Sequence, residues 1–297
     1  MDISSSLTWA TIKLQKKNIP SARLDAEVLL SVVLKKPKEF LFIHYDHQLK
    51  PLQIKKFQTL IAKRAAYQPV AYLTGHKEFF GLDFLINKNV LVPRPETELI
   101  VELATDLIKQ NHLSPLTLID VGTGSGCIII SLKKNNPQIK AIGIDSSRRA
   151  LALAQKNAQK HRVRINFLSS NLLASLPPLK GAYAIIANLP YLAQTDKLTA
   201  WEKKSISHEP RLALYGGKQG WEQYEKLFKQ IYAQKTPPLF IIVEINPLHW
   251  RPMQTLAKKY FPDRTNRLRK DLSGRHRILI ISSIKKTEDI GDNCSSV

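Results

Sequence analysis

The feature that most constrains the fold is an alternation of strand-length apolar runs with segments of helical periodicity, which begins near residue 117. The patterns predict strand 117–121, helix 125–135, strand 139–144, helix 147–160 and strand 164–168. They continue with a strand that ends at Asn188, a helix over about 219–234, a strand over 238–245, and a terminal pair near 264–271 and 276–283. Elements in this order form a largely parallel sheet with helices on both faces. The chain is therefore predicted to be an α/β protein.

Residues 1 to about 70 differ from that region because they carry helical patterns with little strand signal. Two helices are predicted, one opened by the segment at Ser21 and ended by Lys36–Pro37, and one that follows Pro51. Their predicted apolar stripes are Leu24, Val28, Leu29 and Val32 in the first helix and Ile54, Phe57, Leu60 and Ile61 in the second. We predict a helical domain over 1–70 that docks a partner. The alternative is a cap that stabilises the larger domain.

Residues 71–92 change to a period of two and predict a connector hairpin that turns near Gly81. The second domain is predicted over 93–283, and the polar tail 284–297 is predicted to be disordered. The second domain opens with the segment 93–98, in which Pro95 suits the first turn of a helix. Residues of this helix start, Thr97 among them, either hold a ligand or cap the helix.

The charge, the apolar runs and the cysteine content of the sequence limit which partners and which type of protein are expected. The 297 residues include 45 Lys and Arg against 24 Asp and Glu, a net charge of +21. These basic residues are spread along the chain, which is typical of solvated surface, although the charge also permits steering toward RNA, the ribosome or an acidic protein. The longest apolar runs are far shorter than the ~20 residues that span a bilayer, and Cys127 and Cys294 support neither a disulfide framework nor a metal site. We expect a cytoplasmic protein without a membrane or metal partner.

A glycine-rich segment, Asp120 to Gly126, follows the first strand of the second domain and opens a helix. Glycines let the backbone approach a ligand closely, and a helix start presents free N–H groups. A dinucleotide fingerprint needs glycine at the third position after Gly124, but Cys127 stands there, so the spacing argues against NAD. Asp145 ends the next strand, where an acid binds ribose hydroxyls in many such sheets. Its alternative role is structural, near a helix start capped by Ser146 or Ser147, and we favour nucleoside binding.

The second candidate site is Asn188-Leu189-Pro190-Tyr191, which follows four small or β-branched residues that read as a buried strand. Ligands bind at the carboxyl ends of strands in open α/β sheets. Pro190 restricts Leu189 to an extended conformation, so the Leu189 carbonyl has a fixed direction. This carbonyl and the Asn188 side-chain oxygen are two acceptors suited to the two hydrogens of one planar NH2 group, over which Tyr191 can stack. The alternative is a strand that ends at a proline turn.

Together these motifs resemble a known family. The pattern acidic-x-Gly-x-Gly-x-Gly followed by a second acid resembles the S-adenosylmethionine loop of class I methyltransferases, and Asn-Leu-Pro-Tyr narrows the resemblance to enzymes that methylate planar NH2 nitrogens. Four more segments resemble the protein-(glutamine-N5) methyltransferases of peptide-chain release factors: 78–82, 93–98, 208–217 and 271–277. The resemblance covers residues from about 20 to 283. It implies a Rossmann-like, mostly parallel seven-stranded sheet preceded by a small helical bundle and a β-hairpin linker.

The resemblance also implies a cofactor, a substrate and their sites. The implied cofactor is S-adenosyl-L-methionine, and the implied substrate is the glutamine of the Gly-Gly-Gln loop of class I release factors. The implied catalytic residues are Asn188, Leu189, Pro190 and Tyr191. The implied cofactor-binding residues are Thr97, Gly122, Thr123, Gly124, Ser125, Gly126, Asp145, Asn171, Leu172 and Asn188. The chain departs from the family in having Leu189 for the usual proline, Asn171 for the usual aspartate, and Asn246 and His249 for the usual glycine and glutamine.

Two other functions would account for part of these sequence features. A methyltransferase for an exocyclic base amine of RNA or DNA would share the tetrapeptide and suit the positive charge, but such enzymes lack the helical first domain and the 93–98 segment. A non-catalytic adaptor would keep the fold without the chemistry, and the intact glycine loop, Asp145 and Asn188 argue against it. Methylation of a release-factor glutamine is therefore the expected function.

Overall fold

The computed structural model describes residues 1–234 and 236–284 of the chain. It divides into two compact units. Unit 1 contains Met1–Lys77, Ile86–Lys88 and Lys197–Glu209, and unit 2 contains Glu78–Leu85, Asn89–Asp196 and the residues from Pro210 onward. The predicted disordered tail lies, from residue 285 onward, outside the described residues.

Unit 1 is helical. Its helices are α1 (Ile3–Gln15), α2 (Ala22–Leu34), α3 (Lys38–Ile43), α4 (Pro51–Ala65) and α5 (Val70–Thr74), to which the chain later adds α9 (Ala200–Ile206). A buried cluster of apolar side chains from these helices forms the core, and Phe57 and Ile61 of α4 belong to it as predicted. Inside the unit, the Arg64 guanidinium of α4 donates to the Asp25 carboxylate of α2 at 2.6 Å, and both side chains are buried.

The predicted apolar stripe of α2 is wrong in part. Leu24 and Val32 are 50% and 41% exposed, while the buried apolar residues of the helix are Ala22, Ala26, Leu29, Leu30 and Val33. The buried face is therefore shifted around the helix axis from the predicted one, and it also carries Asp25, which meets Arg64. A buried charge requires a partner, and this ion pair with a residue 39 positions away cannot be read from helical periodicity.

Unit 2 contains the sheet, which the chain reaches after a hairpin formed by β1 (His76–Phe79) and β2 (Leu82–Leu85). The hairpin turns at Phe80–Gly81, both of which have positive φ, as a two-residue hairpin turn requires. A 3-10 turn, Pro95–Thr97, leads into α6 (Glu98–Gln110). The next elements are β3 (Thr117–Val121), α7 (Cys127–Asn135), β4 (Lys140–Asp145), α8 (Arg148–Lys160), β5 (Asn166–Ser169) and β6 (Tyr183–Ala187).

The rest of unit 2 completes the sheet. A short parallel pair, β7 (Leu192–Ala193) and β8 (Tyr215–Gly217), lies outside the main sheet, with α10 (Arg211–Leu214) before β8. The remaining elements are α11 (Glu222–Tyr232), β9 (Phe240–Glu244), a 3-10 turn (Pro247–His249), α12 (Trp250–Tyr260), β10 (Thr265–Lys270) and β11 (His276–Ser282). Every helix among the described residues is too short or too polar to cross a lipid bilayer.

The main sheet has seven strands in the order β10-β11-β9-β6-β3-β4-β5, which confirms the predicted fold class. The five strands from β9 to β5 are parallel, and β11 is antiparallel to both of its neighbours. The chain builds the sheet outward from β3 through β4 to β5 and then returns to β6 on the other side of β3. Such a reversal opens a crevice at the carboxyl ends of the two central strands. Residues 122 and 188, which follow β3 and β6, both lie there.

Candidate active site

The glycine loop between β3 and α7 is held by backbone hydrogen bonds to β4. The N–H groups of Gly122 and Thr123 donate to the Ile144 carbonyl at 2.8 and 2.9 Å. Gly126 has a φ of 80°, and a Cβ there would lie 2.9 Å from Ile130 Cδ1 and 3.2 Å from Ala154 Cβ. Contacts below 3.4 Å at a positive φ leave room only for glycine. Close packing of α7 and α8 at this position therefore explains the glycine immediately before α7.

Asp145, at the end of β4, contacts the same loop through its side chain. Its Oδ2 accepts from the Gly124 N–H at 2.9 Å, and its Oδ1 accepts from the Ser147 N–H at 2.8 Å. Burial raises the pKa of this carboxyl, and the backbone donors oppose that shift. Each oxygen of a carboxylate can accept a second hydrogen bond. Asp145 thus lines the pocket and also lies next to the start of α8, which Ser147 caps, so both of its predicted positions are compatible with the structure.

Asp120, the acid that opens the glycine segment, is fully buried and does not line the pocket. Its Oδ2 accepts from the Thr123 hydroxyl at 2.6 Å, and its Oδ1 has no hydrogen-bond partner among the described residues. Burial raises the pKa of Asp120 to about 7. The acid therefore acts on the inner side of the loop, where it orients Thr123.

The side chain of Asn188, directly after β6, is fixed by two acceptors. Its Nδ2 donates to Glu244 Oε2 at 2.8 Å and to Thr97 Oγ1 at 3.2 Å. The Thr97 hydroxyl in turn donates to the same Glu244 oxygen at 2.7 Å. The structure directs the nitrogen of the Asn188 amide at Glu244, the orientation that suits a carboxylate, which only accepts hydrogen bonds when ionised. The Asn188 oxygen remains as an acceptor on a residue that lines the pocket.

Leu189 and Tyr191 of the tetrapeptide also have hydrogen-bond partners. The Leu189 N–H donates to the Tyr224 hydroxyl at 3.0 Å, and that hydroxyl donates to the Glu244 carbonyl. The Leu189 carbonyl lies 3.2 Å from the same hydroxyl, whose single hydrogen is engaged by Glu244. The Tyr191 hydroxyl donates to Glu244 Oε1 at 3.2 Å. Burial and the neighbouring Glu244 raise the pKa of Tyr191, so this phenol is neutral.

A pocket of about 460 Å³ brings the two sites together. Of the residues predicted from the sequence, it is lined by Thr97, Gly122, Thr123, Gly124, Ser125, Asp145, Asn171, Leu172, Asn188, Leu189 and Pro190. Gly126 and Tyr191 do not line it: Gly126 packs under α7, and Tyr191 contacts Glu244. The ligand-binding roles of all these residues stay predictions. Their proximity shows that one ligand can contact the glycine loop and the tetrapeptide at once.

Sequence reasoning missed two residues, Glu244 and Tyr224, which hold the tetrapeptide in place. Glu244 is 1% exposed at the end of β9, a strand whose five residues are all buried. An acidic residue at the end of an otherwise apolar strand is unusual, and this pattern could have identified Glu244 from the sequence. Tyr224 gave no such signal because an aromatic residue on the apolar face of α11 is typical of core packing.

The fold and the pocket define a class I methyltransferase, and comparisons with known proteins agree. The family model described as methyltransferase small domain matches residues 99–218, and the model described as PrmC N-terminal domain matches residues 5–75. The release factor glutamine methyltransferase of Koribacter versatilis is 32% identical over 94% of this chain and 98% of that protein. That of Geobacter sulfurreducens is 35% identical over 82% of this chain and 84% of that protein. The chain belongs to the release factor glutamine methyltransferase family.

Two further similarities concern length and fold. The chain is 32% identical to a bifunctional methyltransferase of Rickettsia conorii and spans 58% of that protein's length. The solved catalytic domain of human METTL16, in complex with an RNA hairpin, has a TM-score of 0.56 at 15% identity, covering 80% of this chain and 82% of that one. A second METTL16 structure, in complex with SAH, has a TM-score of 0.51. At this identity the METTL16 structures show a shared fold alone.

Proposed function

We propose that this protein transfers a methyl group from S-adenosyl-L-methionine to the side-chain amide nitrogen, N5, of the glutamine in the Gly-Gly-Gln motif of class I release factors. The observation that carries the proposal is the fixed orientation of Asn188, whose nitrogen is engaged by Glu244 and Thr97 while its oxygen stays available beside the pocket. Membership of the release factor glutamine methyltransferase family supports the same substrate.

The pocket fits the proposed cofactor. A Cβ at Gly122 would lie 3.0 Å from Leu189 Cδ2, so the absence of a side chain keeps the space between the glycine loop and the tetrapeptide open. Each carboxylate oxygen of Asp145 can accept one more hydrogen bond, which suits the hydroxyls of a ribose. Asn171 and Leu172 line the same pocket. When bound, the cofactor supplies a methyl group on a positively charged sulfur, which makes that carbon electrophilic.

The chain's own contribution is to orient a poor nucleophile. An amide nitrogen is unreactive because its lone pair is delocalised into the carbonyl, so placement in line with the methyl carbon matters most. We propose that the Asn188 oxygen and the Leu189 carbonyl each accept one hydrogen of the glutamine NH2 group. Both acceptors also oppose the positive charge that grows on the nitrogen, a gain realised chiefly in the transition state. The proton is lost after methylation, when the nitrogen has become acidic, so no base has to act beforehand.

The experiment that tests the function is incubation of the protein with labelled cofactor and a class I release factor. Label should enter the intact release factor and be absent when the Gly-Gly-Gln glutamine is replaced by alanine. Transfer to RNA or DNA in place of the release factor would support the base-amine alternative, which the family relationship does not favour. Since its proposed substrate acts in translation, we place the enzyme in the cytoplasm.

We further propose that residues 1–70 dock the release factor. Around the end of α3 and the start of α4, unit 1 exposes Ile43 at 71% and Leu52 at 76%, together with Phe42 and Tyr45. Replacing Ile43 and Leu52 with serine should raise KM for the intact release factor by about tenfold and leave cofactor affinity unchanged. Ile12→Ser, at a residue 48% exposed on α1, is the matched control. An equal loss of cofactor affinity would instead identify unit 1 as a structural cap.

A further inference from the structure

We propose that Glu244 is a positioning residue for methyl transfer, one that fixes the orientation of the tetrapeptide acceptors without contacting the substrate itself. The inference rests on the proposed function, because it names the residue that prepares Asn188 and Tyr191 for the glutamine amide. Glu244 lies at the end of β9, next to β6 in the sheet, and its side chain is buried beneath the tetrapeptide.

The side chain of Glu244 makes hydrogen bonds to three site residues. Oε2 accepts from the Asn188 amide and the Thr97 hydroxyl, and Oε1 accepts from the Tyr191 hydroxyl. Two of these residues belong to the tetrapeptide, and the third lines the pocket. A carboxylate placed only to stabilise the sheet would not need all of its side-chain partners to come from the candidate active site.

The direction of each hydrogen bond follows from the chemistry of the groups. Asn188 Nδ2 can only donate, so Thr97 Oγ1 accepts from it. The Thr97 hydroxyl therefore directs its own hydrogen to Glu244. With Glu244 ionised, this chain of donors favours one orientation of the Asn188 amide, with the nitrogen toward Glu244 and the oxygen turned away from it. If the amide were flipped, its oxygen would face the carboxylate, and two acceptors would be left in contact.

The main chain of Glu244 is linked to the Leu189 N–H through the Tyr224 hydroxyl. Its carbonyl accepts the Tyr224 hydrogen, which leaves the Tyr224 oxygen free to accept from the Leu189 N–H. The peptide unit between Asn188 and Leu189 is thereby held, directly before the Leu189 carbonyl. Through its side chain and its carbonyl, Glu244 is thus linked to Asn188, Leu189 and Tyr191.

Burial makes this arrangement costly to retain without a role. Loss of hydration raises the pKa of Glu244, while Thr97, Arg277 and Tyr191 oppose that shift. The three hydrogen-bonded partners of the side chain are neutral, so no ion pair offsets the loss of hydration at those contacts. An apolar residue of similar volume would avoid this cost. It would also leave the Asn188 amide without a fixed direction.

The test uses the full-length chain and two readouts. The variants are Glu244→Gln, which keeps the shape and one acceptor oxygen, Glu244→Ala, which removes both, and Thr97→Val, which removes one of the two acceptors of Asn188. Glu225→Gln is the matched control, because the Glu225 side chain on α11 is 41% exposed and bonds Lys259 outside the pocket. The first readout is single-turnover methylation of a release factor. The second is solvent exchange of the Asn188 side-chain NH2 protons by NMR with labelled asparagine, assigned by their loss in Asn188→Ala.

We expect Glu244→Ala to slow methyl transfer by about a hundredfold, and Glu244→Gln and Thr97→Val by about tenfold, with the cofactor affinity of the two Glu244 variants within about twofold of wild type. Exchange of the Asn188 NH2 protons should become about tenfold faster in Glu244→Ala. A folded Glu244→Gln and a folded Thr97→Val that both keep wild-type rates would overturn the proposal. These two near-isosteric variants decide the matter if Glu244→Ala does not fold.

The two readouts separate this inference from the proposed function. If the wild-type protein methylates no release factor, the proposed function fails, and the exchange of the Asn188 protons still tests whether Glu244 orients that amide. If the wild type is active and the Asn188 protons exchange alike in wild type and Glu244→Ala, the function stands and the role of Glu244 is refuted. If Glu225→Gln slows methylation as much as Glu244→Gln does, the role of Glu244 is also refuted. The removal of a negative charge elsewhere in the protein would then have the same effect.

Discussion

The two halves of the pocket are built in different ways. The glycine loop after β3 is shaped by backbone hydrogen bonds to Ile144 and by Asp145, whose side chain accepts from a residue only 21 positions away. The tetrapeptide after β6 is held mainly by side chains from distant parts of the chain, with Thr97 at 91 and Glu244 at 56 positions from Asn188. The shape of the glycine loop therefore depends on the absence of side chains at its glycines. The orientation of the tetrapeptide depends on hydrogen bonds between polar side chains.

Substitutions in the two halves of the pocket should therefore affect different steps of the reaction. Adding atoms to the glycine loop changes backbone conformation and fills the space for the cofactor, so it should weaken cofactor binding. Removing polar atoms near the tetrapeptide leaves the pocket open but loosens its acceptors, so it should slow the chemical step.

The largest effect is expected for Asn188→Ala, which removes an acceptor from the target nitrogen. Loss of a well-placed transition-state partner costs on the order of a hundredfold or more in rate. Single-turnover methylation at saturating cofactor should collapse while thermal unfolding stays close to wild type, and calorimetry measures any separate loss of cofactor binding. Leu189→Pro is the comparison variant: it keeps the carbonyl, loses the N–H bond to Tyr224, and should be comparatively mild. Near-normal turnover in Asn188→Ala together with an inactive Leu189→Pro would contradict the two-acceptor arrangement.

The next effect concerns the opposite half of the pocket. Gly122→Ala places a Cβ 3.0 Å from Leu189 Cδ2 at a φ of 78°. Strain and this contact should weaken cofactor binding by about tenfold in calorimetry, since a left-handed conformation alone costs roughly 1–2 kcal/mol. Gly274→Ala has the same φ of 78° with nothing within 4 Å of the added atom, so it controls for strain. Equal affinities in the two variants would show that the contact with Leu189 does not matter.

Local patterns predicted much of the fold. The predicted strand 117–121 coincides with β3, and the predicted strand 164–168 lies within two residues of β5 (Asn166–Ser169). These elements are set by apolar periodicity and by glycine and proline positions, which neighbouring residues determine. The apolar stripe of α2 was wrong in part because the prediction left out Ala22, Ala26 and Leu30, which follow one another at a helical spacing of four and are buried.

The candidate site was predictable where its residues are consecutive. The glycine loop and the tetrapeptide each form a short motif, and both lie at the pocket. The support of Asn188 was not predictable in the same way, because Thr97 and Glu244 are 147 positions apart and meet only when the 3-10 turn at Pro95–Thr97 and β9 are both in place. Hydrogen bonds of this kind depend on the assembled sheet, and a single sequence carries no periodic signal for them.

A smaller effect on turnover is expected for Tyr224→Phe, which removes the hydroxyl that links Leu189 to Glu244. The buried Leu189 N–H would lose its partner, at a cost of about 1–3 kcal/mol in the free energy of unfolding. Methylation should slow only a fewfold, because Asn188 keeps its own bonds to Glu244 and Thr97. Urea unfolding and single-turnover rates measure the two effects, and Tyr232→Phe, at a residue 69% exposed, is the control. A rate loss as large as that of Asn188→Ala would mean that the Leu189 carbonyl is the dominant acceptor.

The smallest effect on turnover is expected at Asp120, which lies beneath the glycine loop and outside the pocket. Its pKa is raised from 3.8 to about 7 by burial, so the folded state binds a proton that the unfolded state releases. This contribution to stability is complete below about pH 3.8, declines by up to about 1.4 kcal/mol per pH unit toward pH 7, and is absent above it. Asp120→Asn cannot titrate, so the stability of wild type relative to this variant should fall between pH 5 and pH 8 in urea unfolding. Asp263→Asn, at an exposed position, is the control, and a wild-type advantage that grows with pH would show that Asp120 is instead held as an anion by the loop.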